Sequence, residues 1–301
     1  MSDFTILTDT NTDLPADYFS QHEIMIVPIA FQLDGKFHNS GNYEEITAKD
    51  FYSALRNGST AGTALANVET FTEVFTDHAQ KGKAILAITL SGELSGTYQN
   101  GVIARNDVKS QYPDAEIYVV DSINAAGGAG VVTALAVEKR SEGLTAGQTA
   151  AWLEEKKHSC IALFTVDDLM HLHRGGRLSK LSAIAGSIIG IKPLLNVAPD
   201  GSLKLKDRAR GRSNSINTLF SQMQRSLNPD TKLNYVIISH SDCYDDAKKL
   251  ADLIENAYEV NNLMVEMMGP VIGTHVGPGA IALFFEGDMT RREYESKYYP
   301  A

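Results

Sequence analysis

Cysteine is nearly missing from this chain: two occur in 301 residues, Cys160 and Cys243, far apart in sequence. That excludes a disulfide framework and gives no zinc-ligand spacing, so a reducing, cytoplasmic setting is expected. An excess of positive charge is also lacking. The formal net charge is -10, which argues against general affinity for nucleic acid, since counterion release needs a basic surface. Long apolar runs are absent as well. The longest, LSAIAGSIIGI from Leu181 to Ile191, stops at Lys192-Pro193 and falls short of the ~20 residues that cross a bilayer. The N-terminal MSDFTILTDT carries Asp3 and Asp9 and no basic region followed by an apolar stretch, so it does not read as a signal peptide.

What is present describes a globular α/β protein. Hydrophobic residues make up 43% and charged residues 21%, close to the soluble average. A chain this long approaches the size at which one core divides, so two domains are expected, with a boundary near residue 158: 1–158 and 159–301. Short β-branched runs recur, FTILT from Phe4, IMIVPIA from Ile24, AILAITL from Ala84, EIYVV from Glu116 and CIALFTV from Cys160. Between them lie helix-length stretches with three- and four-residue apolar spacing, such as those from Gly96 and Ala129. Near-continuous apolar strands separated by helices predict a parallel sheet covered on both faces, with ligands at the strand C-termini. In the second half, helices are expected around Asp167–His173 and Lys180–Ile191. LLNVAPDGSLKL reads as a hairpin, and NYVIISH, LMVEMMG and AIALFFEG as strands.

The most informative junction is AITLSGELSGTYQN, a strand entering a Ser/Gly loop and then a helix near Gly96. Free backbone N–H groups there favour an anion, with Ser95 as the adjacent hydroxyl; the alternative role for Ser95 is that of an ordinary helix cap. A second cluster is GTHVGPGA, where His275 lies between glycines in what reads as a loop. The loops around Thr63 and from Val120 are also rich in small residues, and the four together suggest one enclosed site. Asp9, Asn11 and Asp13 imitate the start of a calcium loop, but Leu14 and Ser20 occupy the positions that need glycine and glutamate. His171 and His173 point to different helix faces, so no metal site is expected. Gly127, Gly128 and Gly130 do not have dinucleotide-fingerprint spacing. In KLKDRARGR the cations Lys204, Lys206, Arg208, Arg210 and Arg212 alternate, which on a strand puts all five on one face. Such a face is either a charged edge guard or a dock for an anionic partner.

Six segments in order, TDTNTDLP, SGELSGTYQN, DSINAAGGAG, DDLMHLHRGGRLS, IKPLL and IGTHVGPGA, resemble the DegV family of fatty-acid-binding proteins that serve bacterial fatty acid kinase. The resemblance implies a two-domain α/β fold with a parallel-sheet N-terminal domain, a mixed-sheet C-terminal domain and a ligand tunnel between them. It implies that a long-chain fatty acid is held there, its carboxylate bound by Thr63, Ser95 and His275 with Gly96, and approached by Arg208. A partner kinase would phosphorylate that carboxylate, docking near Arg174 and Arg177. No cofactor, no nucleic acid and at most transient membrane contact are implied. The family usually reads Thr-Ser-Gln-Pro where this chain has Thr63-Ala64-Leu65-Ala66, so one hydroxyl beside the head group is missing. Ile184, Ile188 and Ile272 are expected to line the tunnel, although the small residues from Ala183 to Gly190 fit ordinary close packing equally well. The competing chemistry is a serine acyl hydrolase or transferase with Ser95 as nucleophile and His275 as base; GELSG lacks the spacing of a nucleophile elbow.

Overall fold

The structure, a computed structural model, describes residues 4–39, 46–178 and 190–300. In chain order the first half contains β1 (Phe4–Asp9), α1 (Ala16–Gln21), β2 (Ile24–Val27), β3 (Ala30–Leu33), β4 (Lys36–Asn39), α2 (Ala48–Arg56), β5 (Ala61–Thr63), α3 (Val68–Gln80), β6 (Ala84–Thr89), α4 (Thr97–Gln111), β7 (Ile117–Asp121), α5 (Gly127–Ser141) and α6 (Ala146–Lys156). The second half contains β8 (Cys160–Thr165), α7 (Met170–Arg174), β9 (Ile191–Val197), β10 (Leu203–Arg210), α8 (Arg212–Arg225), β11 (Leu233–His240), α9 (Tyr244–Glu255), β12 (Val260–Met267), α10 (Pro270–Val276), β13 (Ile281–Glu286) and α11 (Arg291–Tyr298).

Strands β2-β1-β6-β7 form a wholly parallel sheet. Strands β10-β9-β8-β13-β11-β12 form a mixed one, parallel only between β11 and β12. A third, antiparallel sheet, β4-β3-β5, was not anticipated; its Asp34-Gly35 turn was the available signal. The expected division at 158 falls in a single 3-10 turn, 157–159, between α6 and β8.

The continuous apolar character of β8 and β13 has a direct cause: both faces are buried. Ile161 and Leu163, with Ile281, Leu283 and Phe285, enter a core beneath α8 and α9. Ala162 and Phe164, with Ala282 and Phe284, point the other way into the core shared with the parallel sheet. Helix α5 lies between the two sheets, packing on β1 and β6 and on β8, β11 and β13. Every residue from Gly127 to Val137 is buried, as an apolar, small-residue helix requires. Gly130 permits this closeness, since a Cβ there would overlap the Thr12 carbonyl.

Two expectations are corrected. The five alternating cations do not share a strand face. A bulge between Leu205 and Asp207 breaks the alternation. Lys206 pairs with Glu295 at 2.7 Å, and Arg212 already belongs to α8, pairing with Asp246 at 2.9 Å. His275 lies in the last turn of α10 and not in a loop. Pro270 opens that helix at a position needing no N–H, and Gly277, at φ 71°, ends it. The helix-length stretch from Lys180, with Ile184 and Ile188, lies outside the described residues, and Ile191 begins β9.

Candidate functional site

A cavity of about 760 Å³, counted out to its open mouth, lies between the halves. The first half supplies Ile29, Leu90, Leu94, Ala125 and Ala126; the second supplies Phe164, Val197, Leu203, Met268, Ile272 and Phe284. Most of its wall is hydrocarbon, as in small-molecule sites generally. Asn11, Thr63, Ser95, Arg177 and His275 are its polar lining residues.

Thr63 ends β5, in register with Phe31 of β3, and its hydroxyl lies 3.0 Å from His275 Nε2. The imidazole is fixed by its helix: Tyr52 donates to the Met268 carbonyl at 2.9 Å, and Gly273 packs so closely on Tyr52 that a Cβ there would overlap its hydroxyl. Burial, with the Arg177 charge as a lesser cause, lowers the His275 pKa to about 4. The ring is therefore neutral at pH 7. Its Nδ1 makes no hydrogen bond among the described residues. Gly175 backs that nitrogen, and a Cβ at 175 would overlap it.

Ser95 accepts from the Thr97 backbone N–H at 3.3 Å and exchanges a hydrogen bond with the Thr97 hydroxyl at 3.0 Å. It therefore supports the start of α4 and lines the cavity at the same time. Gly96, the residue that precedes α4, lies under Leu65, and a Cβ there would sit a tight 3.3 Å from the leucine Cδ1. Arg177 donates from Nε to the Leu94 carbonyl at 2.9 Å and from Nη1 to the Gly175 carbonyl at 2.6 Å. It thus ties the Ser95 loop to the chain that follows α7 and brings a positive charge to the cavity wall.

The structure therefore brings Thr63, Ser95, Ile272 and His275 to one cavity wall, leaves Gly96 beside Ser95 but off that wall, and adds Arg177, which had been read only as part of a docking surface. Arg174 is exposed, with Nη2 3.3 Å from His171 Nδ1. Arg208 is not brought to the cavity. It is exposed on β10 opposite Pro193, on the same sheet face as Leu203, the β10 residue that lines the wall, but farther along the strand. Asn11 was missed; its place in TDTNTDLP, at the end of a parallel strand, was the available signal. Among the described residues the pairing needed for a serine nucleophile does not form: Ser95 bonds to Thr97, His275 Nε2 to Thr63, and Nδ1 has no acidic orienter there.

The DegV family model matches residues 3–288. The chain belongs to the DegV family. A DegV domain-containing protein of Clostridium perfringens is 37% identical over 96% of this chain and 99% of its own. A solved structure of a Thermotoga maritima DegV relative, described as revealing fatty acid binding function, has a TM-score of 0.83 at 28% identity, covering 95% of this chain and all of its own. The Streptococcus pneumoniae Fatty Acid Kinase (Fak) B3 protein, solved with linoleic acid, shares the DegV fold at 17% identity and a TM-score of 0.81, covering 96% and 100% of the two chains. Among the described residues of this DegV protein, no helix is long and apolar enough to cross a membrane.

Proposed function

We propose that this protein binds one long-chain fatty acid in its cavity and presents the carboxylate, at Thr63, Ser95, Gly96 and His275, to a partner kinase that forms the acyl phosphate. The chain itself does no chemistry. The observation that carries the reading is an apolar cavity whose hydroxyls, neutral imidazole and guanidinium collect around Thr63 and His275. Burying a sixteen-carbon tail contributes roughly 0.8 kcal/mol per methylene, on the order of 11 kcal/mol before ordering costs. Hydrogen bonds to the charged head add about 1.5 to 3 kcal/mol each. The tail therefore supplies most of the affinity, and the polar cluster decides which end faces outward.

Arg177 is suited to steady the anion, and Arg174, exposed nearby in sequence, to meet the partner. On this reading the division at 158/159 separates a unit carrying Thr63 and Ser95 from one carrying His275, with the ligand across the join. Native mass spectrometry of the purified protein, followed by lipid extraction, tests it. The expected result is one fatty acid per chain, with Ser95→Ala and His275→Ala losing it faster. A protein that is empty and ignores added palmitate and oleate overturns the reading.

A further inference from the structure

Asn11 follows β1 and is 1% exposed, yet it is one of the residues that line the cavity. Its backbone N–H is taken by Asp9 Oδ1 at 2.9 Å, and the other Asp9 oxygen accepts from Leu90 N–H at 2.8 Å. The Asn11 carboxamide stands close enough for the Asp9 carboxyl to sense it, but the two do not meet in hydrogen-bond geometry. Its Nδ2 is thus a buried donor without a hydrogen bond among the described residues. Leaving such a group unpaired costs about 1 to 3 kcal/mol, and a plain apolar side chain would serve better if the wall had only hydrocarbon to meet. Ile29, Leu90 and Ala126 around the same wall supply that hydrocarbon surface.

We infer that Asn11 is a specificity-determining residue that donates a hydrogen bond to an oxygen of the bound acyl ligand. The inference rests on the fatty-acid reading above. Two sources share this chemistry: the ligand's own carboxylate, or a hydroxyl or oxo group along its chain. A wall built to hydrogen-bond an oxygen disfavours an analogue that lacks it, because the protein's donor is then left unpaired.

Displacement of a fluorescent polyene fatty acid by stearic acid, a mid-chain hydroxystearic acid and octadecanol separates the two sources. Asn11→Leu keeps the bulk and removes the donor. If the carboxylate is the acceptor, the variant binds stearic acid about tenfold more weakly and octadecanol nearly as before. If the oxygen is on the chain, stearic acid binds unchanged and the hydroxy acid loses an advantage of about tenfold over stearic acid that the wild type shows. Asn11→Ser, which retains a donor, should restore part of the loss, and with Asn11→Ala it replaces the leucine variant should that one fail to fold. Equal affinities for all three ligands in wild type and variants overturn the inference and leave fatty acid binding intact. A wild type that binds no fatty acid removes the functional reading and this one together.

Discussion

The two halves are joined in two quite different ways. Around the cavity the junction consists of side chains that retain unused hydrogen-bonding capacity: Thr63 reaches His275, while His275 Nδ1 and Asn11 Nδ2 make no bond among the described residues. On another seam a single guanidinium acts as a rivet. Arg291 is 2% exposed and donates to the carbonyls of Ile123 at 2.8 Å, Ala198 at 3.1 Å and Lys157 at 3.1 Å. Ser91 adds a bond to the Gly201 carbonyl at 3.0 Å. Ion pairing contributes little at that seam, since all three bonds go to backbone. The lesson is a division of labour: Arg291 turns both terminal nitrogens to backbone carbonyls, leaving only its Nε unbonded among the described residues, while the cavity seam leaves His275 Nδ1 and Asn11 Nδ2 beside the space a ligand would fill.

The comparison breaks most visibly at Arg291. Arg291→Met should strand three buried carbonyls and lower stability by about 3 kcal/mol or more, read as a drop in the urea midpoint. A variant as stable as wild type would mean the seam is not held there. Next in size, Gly175→Ala should push His275 aside and weaken fatty acid binding about tenfold or more while the urea midpoint moves little; unchanged affinity would separate His275 from the head group.

A pH titration sharpens the same contrast. The His275 pKa is lowered from 6.5 to about 4, so between those values the unfolded chain binds the extra proton, and this group's contribution to stability is lost as pH falls from 6.5 towards 4. His275→Gln should flatten that limb of the ligand-free protein, measured by denaturation across the range. Opposite behaviour is expected where burial raises carboxyls: Asp9 and Asp13 to about 6, and Glu266 to about 7 with added repulsion from Asp13 and Asp17. For Glu266 the folded state holds its proton more tightly than the unfolded chain, so stability declines as pH rises from 4.5 to 7. Glu266→Gln should therefore gain about 1 kcal/mol at pH 8, after screening, and nothing below pH 4.5; an equal gain at both pH values would point to packing instead.

How much of this was legible beforehand follows from the physics of each element. Strands β1, β6, β7, β8, β11 and β13 are buried on both faces, and such strands write themselves as unbroken β-branched runs. The Pro199-Asp200-Gly201-Ser202 turn announced the β9–β10 hairpin for equally local reasons. Thr63, Ser95 and His275 were picked out by small-residue loops and by resemblance, although no local rule said that they would converge.

Other outcomes needed the whole fold. The bulge turned Arg208 onto the sheet face of Leu203 and Leu205, since side-chain direction inverts with every single-residue step, yet its place farther along β10 leaves it exposed and off the cavity wall. Packing of α7 beneath α10 turned Arg177 from a surface cation into part of the cavity wall, tied to the carbonyls of Leu94 and Gly175. Sequence by itself determined the alternation of elements and the family, because periodicity and glycine placement act over a few residues; that α5, read as amphipathic from Ala129, is buried all round from Gly127 to Val137 came from the sheets on either side of it. Only the tertiary structure decided which polar atoms are left unpaired around the cavity. Hydrogen-bond satisfaction depends on partners as distant as residues 63 and 275, and their meeting is settled by how two sheets close on one helix.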